Sequence, residues 1–324
     1  MALLLIRKIN NIVCIMLGQL PYGDGIIYKS ILRNHNYTSF LGENLMNKVK
    51  IITDSTCDLP FGLLEERGIE RVPLHIILGE KTYPDDQNLS SQMLFEYADT
   101  MGMLPKSSAV NAYDFEVVFR RWLEEDYDIF FMGISSHLSS TMQNAKTAAD
   151  QIGTDRISIV DSLSLSTGVG LQVLEASDLA MAGAGLDEIT QHALKIRDKV
   201  QASFVVDTLK YLYMGGRCSK LVSIVGSRLQ IKPKLELRGG EIIPTSKFRG
   251  AQFVDKYFDQ VMERASEVDP KRIFVTHCLS EKAEAVKSRL ETEFGFANVM
   301  ITDASPTIAT HCGPGTLGVL FIYK

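Results

Sequence analysis

The feature that most constrains the fold is a buried-strand pattern that stops abruptly at polar residues and gives way to a helical pattern. The apolar run from Ile129 to Ile134 ends in Ser135-Ser136-His137, and a segment of small residues from Ser139 to Ile152 follows. The same design recurs where the run from Val49 to Ile52 meets Thr53-Asp54-Ser55-Thr56. Short apolar runs that alternate with helical segments indicate βα units, which build a parallel sheet covered by helices.

This alternation continues to about residue 201 and then changes. A second group of elements starts near Ala202 and contains a hairpin signal, Arg238-Gly239-Gly240-Glu241, between two short strands. We therefore predict an α/β protein with two domains. The N-terminal domain, residues 46–201, has a mainly parallel sheet with flanking helices, and residues 202–324 form a mixed α/β domain. Within these, the patterns predict one strand from Arg71 to Leu78, a loop from Leu104 to Ala112, a helical segment from Ser219 to Gly226 and one long helix from Ala251 to Val268.

Residues 1–45 differ from the rest of the chain. Their apolar stretch from Ala2 to Ile6 is too short to span a membrane and is interrupted by Arg7 and Lys8. These charges follow the apolar residues, whereas a secretory signal peptide places its charges first. Met46 stands directly before the first clear strand. We expect folding to start there, with residues 1–45 either poorly ordered or included through a misassigned start.

The composition narrows the possible function classes. The chain has a net charge of −5 and no cluster of basic and aromatic residues, which argues against nucleic acid binding. Its five cysteines are odd in number and form no CxxC pair, so a disulfide framework is not expected and a reducing cytoplasm fits best. Cys278 and Cys312 each follow a histidine, but this spacing differs from the close ligand pairs of structural zinc sites. No metal is expected.

Polar residues at the predicted strand ends are candidates for binding an anionic head group. A helix N-terminus favours negative charge, and ligands of open α/β sheets bind at the carboxyl edge. Ser135 and Ser136 could hold an anion there or serve only as a helix N-cap. His277 directly follows an apolar strand, where it could donate to a carboxylate or pack as a core histidine.

Three further positions could likewise either contact a bound anion or have only a structural role. Ser107 belongs to a Ser107-Ser108 pair that could bind a ligand or only form a turn. Arg217 follows the helix-ending pair Gly215-Gly216, where it could neutralise an anion or cap the helix carbonyls. Arg249 could do the same or lie on the surface.

Common catalytic signatures are missing from the sequence. There is no GxxxxGK[ST] phosphate loop, no GxSxG nucleophile elbow and no HExxH. The segment from Gly313 to Gly318 matches GxGxxG, but no strand leads directly into it and it opens no helix. A binding function is therefore favoured over an enzymatic one.

Five segments together resemble the DegV family, the fatty-acid-binding proteins of bacteria, from about Lys48 to Tyr323. Their order and spacing both match: VKIITDSTCDLP, LPKSSAVNAYDF, MGISSHLSSTMQNA, DTLKYLYMGGRCSK and HCGPGTLGV. The resemblance implies two α/β domains with a fatty acid buried between them. Its carboxylate would be held by hydroxyls and a histidine, and its acyl chain would fill an apolar tunnel. In some members the protein presents the carboxylate to a separate ATP-using fatty acid kinase, which forms the acyl-phosphate.

The family's functional positions are carried over by this resemblance. It implies a lipid carrier with no catalytic residue and no cofactor, a cytoplasmic location, a role in phospholipid synthesis and transient contact with a membrane surface. The carboxylate ligands would be Ser107, Ser135, Ser136 and His277, and the positions linked to kinase docking or phosphate contact would be Arg217 and Arg249.

The chain departs from the family pattern in one loop and one turn. Ser107 stands where threonine is frequent, Ser108-Ala109-Val110-Asn111 stands where Ser-Gln-Pro-Ser is common, and Ser140 replaces a common glycine. These changes keep the hydroxyls but leave the tunnel shape open. Two alternatives also remain: a binding module for another small carboxylic acid, and a Ser/His acyl-ester hydrolase that pairs Ser135 with His277.

Overall fold

The computed structural model describes the backbone of residues 5–9 and 12–16 and all of residues 48–217 and 231–324. The predicted helical segment from Ser219 to Gly226 lies outside the described residues. The chain divides into two compact units, Met1–Met46 and Asn47–Lys324. In the first unit, β1 (Leu5–Ile9) pairs antiparallel with β2 (Ile12–Met16).

The second unit alternates strands and helices as its sequence predicts. Its strands are, in chain order, β3 (Val49–Asp54), β4 (Glu70–Val72), β5 (His75–Leu78), β6 (Lys81–Pro84), β7 (Lys106–Ser108), β8 (Asp128–Gly133), β9 (Ile157–Asp161), β10 (Val200–Val205), β11 (Lys232–Arg238), β12 (Glu241–Phe248), β13 (Val268–Cys278), β14 (Val299–Asp303) and β15 (Thr316–Tyr323). Its described α-helices are α1 (Phe61–Glu66), α2 (Ser91–Met101), α3 (Ala112–Glu124), α4 (Thr141–Ile152), α5 (Thr167–Met181), α6 (Leu186–Arg197), α7 (Lys210–Gly215), α8 (Phe253–Val261), α9 (Ala283–Thr292) and α10 (Pro306–Cys312).

The predicted βα units lie in one parallel sheet with the strand order β4-β3-β8-β9. The central strand β8 is apolar from Ile129 to Met132 because helices cover both faces of the sheet. In β8, Ile129 and Phe131 pack in a core with residues of α3 and α4. The alternate residues Phe130 and Met132 pack in a second core with residues of α5 and α6.

The segment predicted as one strand, Arg71 to Leu78, is divided between two sheets. The break lies at Pro73, which has no N–H to donate and cannot continue a central strand. After it, β5 pairs antiparallel with β6 and with β7. The loop predicted from Leu104 to Ala112 therefore contains a strand, because β7 pairs with residues about thirty positions earlier and its own three residues carry little strand signal.

The second large sheet is mixed and has the strand order β12-β11-β10-β15-β13-β14. Among its described strands, only β13 and β14 pair in parallel. Gly239 and Gly240 have φ of 55° and 86° and form the tip of the predicted β11–β12 hairpin. The predicted α/β fold class, with a parallel sheet and a separate mixed sheet, is confirmed. The domain boundary between residues 201 and 202 and the status of residues 1–45 stay predictions.

The long helix predicted from Ala251 to Val268 is shorter than its sequence pattern. α8 ends at Val261, and Met262–Glu267 form a 3₁₀ helix with a kink at Arg264. The helix must end there because Val268 already pairs with Tyr323 in the mixed sheet.

Buried carboxylates fix the start of α10, the helix that lines the candidate site. Asp58 Oδ1 accepts a hydrogen bond from Ser305 N at 3.0 Å, and its Oδ2 accepts one from Ser166 Oγ at 2.6 Å. Asp85 Oδ2 accepts from Thr307 N at 3.1 Å. Burial raises the pKa of Asp58 to about 7, although these hydrogen bonds oppose the shift.

The raised pKa of Asp58 makes the stability of the fold depend on pH. An unfolded aspartate loses its proton near pH 4, whereas folded Asp58 keeps its proton up to about pH 7, so the folded state binds more protons between these values. We expect the free energy of unfolding of the parent, relative to Asp58→Asn, to fall by on the order of 4 kcal/mol as the pH rises from about 4 to about 7.

Urea unfolding at a series of pH values measures this difference. Asp198→Asn, which removes a carboxylate that is 83% exposed, is the matched control and should leave the pH dependence as it is in the parent. If the difference in the free energy of unfolding between the parent and Asp58→Asn stays constant across this pH range, the raised pKa of Asp58 is contradicted.

Candidate functional site

An apolar cavity lies between the mixed sheet, the start of α4 and α10. It encloses about 120 Å³, many times the roughly 10–15 Å³ that one water molecule requires. Most of its surface is apolar, and serine, threonine and histidine side chains lie among the apolar ones along the wall. The apolar lining includes Leu74, Ile134, Leu138, Leu165, Phe204, Leu212, Ile242, Ile308 and Leu320.

The most polar part of the wall is a hydrogen-bonded serine–histidine pair. Ser107 Oγ of β7 lies 2.7 Å from His311 Nε2 of α10. Burial, and then the positive charge of Arg217, lowers the pKa of His311 to about 4, so the ring is neutral near pH 7. Its Nδ1 is buried and has no hydrogen-bond partner among the described residues. The single proton of the neutral ring is therefore best placed on Nε2, where Ser107 Oγ accepts it.

The end of α7 packs directly against this imidazole. A Cβ atom on Gly215 would lie 2.4 Å from His311 Nδ1, so only glycine permits the observed approach. Gly216 then takes φ of 68° as the left-handed helix C-cap, and this turn carries the chain to Arg217. Arg217 lines the cavity and donates to Gly215 O at 2.7 Å and to Leu138 O at 3.5 Å. Both acceptors are neutral carbonyls, and none of the described acidic residues forms an ion pair with Arg217.

The serine–histidine pair lies where the cavity meets an open cleft. Ser107, Arg217 and His311 line both spaces, and the cleft is further lined by Lys106 and Lys210. The charged residues of its described lining are three basic ones, Lys106, Lys210 and Arg217, and one acidic one, Asp99, in a chain whose net charge is −5. An anionic group bound here would be attracted by Arg217 and reachable from the cleft.

The structure brings some of the predicted site residues together and separates others. Ser107, Arg217 and His277 line the cavity. Ser135 and Ser136 are not among its lining residues. Arg249 is exposed and also lies outside the lining.

The Ser135-Ser136 turn is occupied by the hairpin tip. Ser135 is fully buried and donates to Gly240 O at 2.8 Å, and a Cβ atom on Gly240 would lie 2.5 Å from Ser135 Oγ. Ser136 is exposed, and its N–H donates to Asp161 Oδ2 at 3.2 Å. The contact joins positions 105 residues apart, so no local pattern could predict it.

His277 lies at the opposite end of α10 from His311. Its carbonyl accepts from Ala304 N at 2.7 Å, just before α10 begins, and its ring Nδ1 accepts from Ser280 N at 3.3 Å. Its Nε2 is 3.6 Å from Asp303 Oδ1, beyond hydrogen-bond distance. His277 and the serine–histidine pair therefore line different parts of the same cavity.

Sequence reasoning missed two sets of lining residues. His311 was not predicted because the segment HCGPGTLG was interpreted only through its weak glycine pattern. A histidine directly before a glycine-rich turn is the local signal that could have identified it. Ser139 and Ser140 also line the cavity, next to the start of α4, and Ser139 Oγ lies 2.9 Å from Thr141 Oγ1. They stand only a few positions after the serines that were chosen.

Metal and membrane-spanning features are absent from the part of the chain that the structure describes. There, no three His, Cys, Asp or Glu side chains are grouped so that they could hold a metal ion. Likewise, none of the described helices has the length and apolar character needed to cross a membrane. Cys57, Cys278 and Cys312 are buried free thiols.

Comparison with known proteins identifies the family. The family model described as "Uncharacterised protein, DegV family" matches residues 48–324. This chain belongs to the DegV family. A relative from Thermotoga maritima, named fatty acid-binding protein, is 30% identical over 279 residues, which cover 84% of this chain and 96% of the relative. The resemblance predicted from the five sequence segments is confirmed.

Solved DegV structures share the fold. A fatty acid-binding DegV family protein from Thermus thermophilus is 28% identical and superposes with a TM-score of 0.79, covering 86% of this chain and 100% of that chain. The fatty acid kinase (Fak) B3 protein of Streptococcus pneumoniae, loaded with linoleic acid, is 24% identical with a TM-score of 0.74 and covers 86% of this chain and 100% of its own. At that identity the second likeness shows the fold alone.

The electrostatic origin of the neutral His311 can be measured directly. We expect its imidazole to titrate near pH 4, and Arg217→Gln should raise this pKa without restoring it to 6.5, because burial is the larger cause. Histidine NMR titration of the two proteins gives both values. Arg249→Gln, which removes an exposed arginine outside the cavity, is the matched control. An unchanged His311 pKa in Arg217→Gln contradicts this account.

Proposed function

We propose that this DegV protein binds a long-chain fatty acid in the apolar cavity, with its carboxylate at Ser107, His311 and Arg217. The observation that carries the proposal is a cavity with a largely apolar surface, at whose cleft side a half-buried serine–histidine pair lies beside Arg217, and none of the described acidic residues pairs with this arginine. An amphipathic acid matches both parts. The fatty-acid-binding relatives from Thermotoga maritima and Thermus thermophilus support this ligand class.

The energetics favour a long acyl chain over a small polar acid. Burying a methylene contributes ~0.8 kcal/mol, so a sixteen-carbon chain gains roughly 10 kcal/mol before ordering costs. An unpaired buried carboxylate would offset much of this gain. With His311 Nε2–H donating to Ser107 Oγ, the Ser107 hydroxyl is free to donate to the carboxylate, and Arg217 supplies the opposite charge. A small acid would use only the polar end.

We further propose that the bound carboxylate is presented to an ATP-dependent fatty acid kinase for acyl-phosphate formation. The polar end opens into the cleft lined by Lys106, Lys210 and Arg217, so a partner can reach the carboxylate without opening the apolar cavity. The description of the Streptococcus pneumoniae protein as a fatty acid kinase B3 protein is consistent with this role. In this proposal the chain is a carrier and the kinase performs the chemistry. The cytoplasmic location, the role in phospholipid synthesis and the membrane contact stay predictions.

One geometric feature favours a second candidate, acyl-ester hydrolysis. The Ser107–His311 pair has the spacing of a nucleophile and its general base. The pair predicted earlier, Ser135 with His277, does not have it, because Ser135 donates to Gly240 O. However, the tautomer assigned above has its proton on Nε2, so this atom cannot accept the proton of Ser107. His311 Nδ1 also has no described partner to orient the ring, and burial makes His311 a weak base. Nitrophenyl ester hydrolysis that Ser107→Ala abolishes would establish this activity.

The head-group assignment is tested by a matched pair of serine substitutions. We expect Ser107→Ala to weaken fatty acid binding by about 1–3 kcal/mol, because it removes a donor to a buried carboxylate. Ser136→Ala removes an exposed serine outside the cavity and should leave the affinity unchanged. Fluorescent fatty acid displacement measures both, and mass spectrometry of the denatured protein identifies any co-purified lipid. Equal losses in the two variants would place the carboxylate elsewhere.

The kinase role is tested at Arg217. We expect Arg217→Gln to lower acyl-phosphate formation with ATP and a bacterial fatty acid kinase by about tenfold or more, the effect of one charged contact, and to change fatty acid affinity less. Arg249→Gln tests whether the docking surface extends to the exposed arginine. Equal losses of binding and phosphorylation in Arg217→Gln would make this residue a ligand contact only. The absence of acyl-phosphate with the loaded parent protein would contradict the kinase role itself.

A further inference from the structure

We infer that His277 and Ala304 close the tail end of the cavity and set the longest acyl chain that the protein holds. This inference rests on the fatty acid function proposed above and adds its chain-length determinant. It assigns His277 to the methyl end of the ligand instead of the carboxylate end.

The cavity is bounded by a different open space at each end. At the polar end it shares Ser107, Arg217 and His311 with the cationic cleft. At the other end it shares His277 and Ala304 with a crevice of about 470 Å³, and that crevice has no lining residue in common with the cleft. His277 and Ala304 therefore form a partition between the apolar cavity and the crevice.

The two ends are separated by the length of α10. Ala304 N donates to His277 O at 2.7 Å, so these two residues are adjacent just before the helix begins. His311 lies seven positions after Ala304, which corresponds to roughly 10 Å along a helix. A carboxylate bound at His311 is thus about a helix length from His277, and a chain that follows the α10 wall reaches the imidazole with its tail.

The partition is thin and only weakly held. The His277 side chain is 18% exposed, and one hydrogen bond, from Ser280 N at 3.3 Å, fixes its ring in the described structure. Ala304 contributes a single methyl group and is 5% exposed. The enclosed space of about 120 Å³ is small beside the crevice of about 470 Å³. Removing the ring would join the two spaces, and enlarging the alanine would shorten the cavity.

A chain-length series tests the inference. Saturated fatty acids from about 6 to about 22 carbons are bound to the parent, His277→Ala and Ala304→Val by competition with a fluorescent fatty acid. For the parent, affinity should rise roughly fourfold per added methylene until the tail meets the ring, and then stop rising. His277→Ala should move that break to longer chains and leave shorter chains unaffected. Ala304→Val should move it to shorter chains.

The outcomes that would overturn the chain-length inference differ from the outcome that would overturn fatty acid binding itself. A uniform loss across all chain lengths in His277→Ala would place the ring at the carboxylate and overturn the inference, and so would a break that stays in place in both variants. Thermal melting shows whether each variant is folded, and because the two substitutions act in opposite directions, either one alone tests the position of the break. If the parent binds no fatty acid of any length, the proposed function itself fails.

Discussion

The candidate site depends on how α10 is held. This short helix forms one wall of the cavity and carries His311, and it is fastened by polar groups from residues 55–107. Asp58 and Asp85 accept from the backbone of its first residues, Ser91 Oγ donates to Ala304 O at 3.1 Å, and Ser107 pairs with His311 in its last turn. The helix is too short to be stable by itself. Its position, and therefore the position of the imidazole, is set by these contacts.

A buried polar group destabilises the fold when it lacks a hydrogen-bond partner, so such groups specify which donors and acceptors must surround them. The carboxyl group of Asp58 accepts hydrogen bonds from a hydroxyl and an N–H group in the interior, and burial keeps it protonated up to about pH 7. The same reasoning applies to the bound ligand, whose acid group needs donors that the cavity provides at one end. His311 contributes as a neutral ring that orients Ser107, and Arg217 contributes the charge. The two residues have different roles because they differ in burial. The His311 ring is largely buried and therefore neutral, whereas the Arg217 guanidinium is exposed and keeps its charge.

Much of the fold was predictable because its central strands have strong local signals. β8 is a continuous apolar run and β3 is interrupted only by Lys50 before its polar end, and both belong to the parallel sheet as predicted. β7 was missed because three polar residues have no strand pattern, and its pairing with β5 is visible only in three dimensions. The division at Pro73 was a missed local signal, since proline is rare inside central strands. The early end of α8 reflects tertiary pairing by Val268, which overrides helical periodicity.

The candidate site was predictable in its chemistry and less so in its residues. The sequence indicated hydroxyls and a histidine as candidate ligands, and Ser107, Arg217 and His277 line the cavity. It could not show that the hairpin tip would occupy Ser135, because Gly240 is distant in sequence. It also could not distinguish the roles of the two histidines, since His277 and His311 both directly follow a threonine and precede a cysteine. Only the paired contacts in three dimensions distinguish them.

The attachment of α10 also has a kinetic consequence. Four hydrogen bonds hold the helix to residues 55–107, and at about 1 kcal/mol each they make its detachment unfavourable by about 4 kcal/mol. A detached helix would then be populated at on the order of one molecule in a thousand. If the acyl chain leaves through this wall, its residence time is governed by the rare opening of the protein more than by the strength of its own contacts. Such a carrier would release its cargo slowly when alone and faster when a partner weakens the attachment of α10.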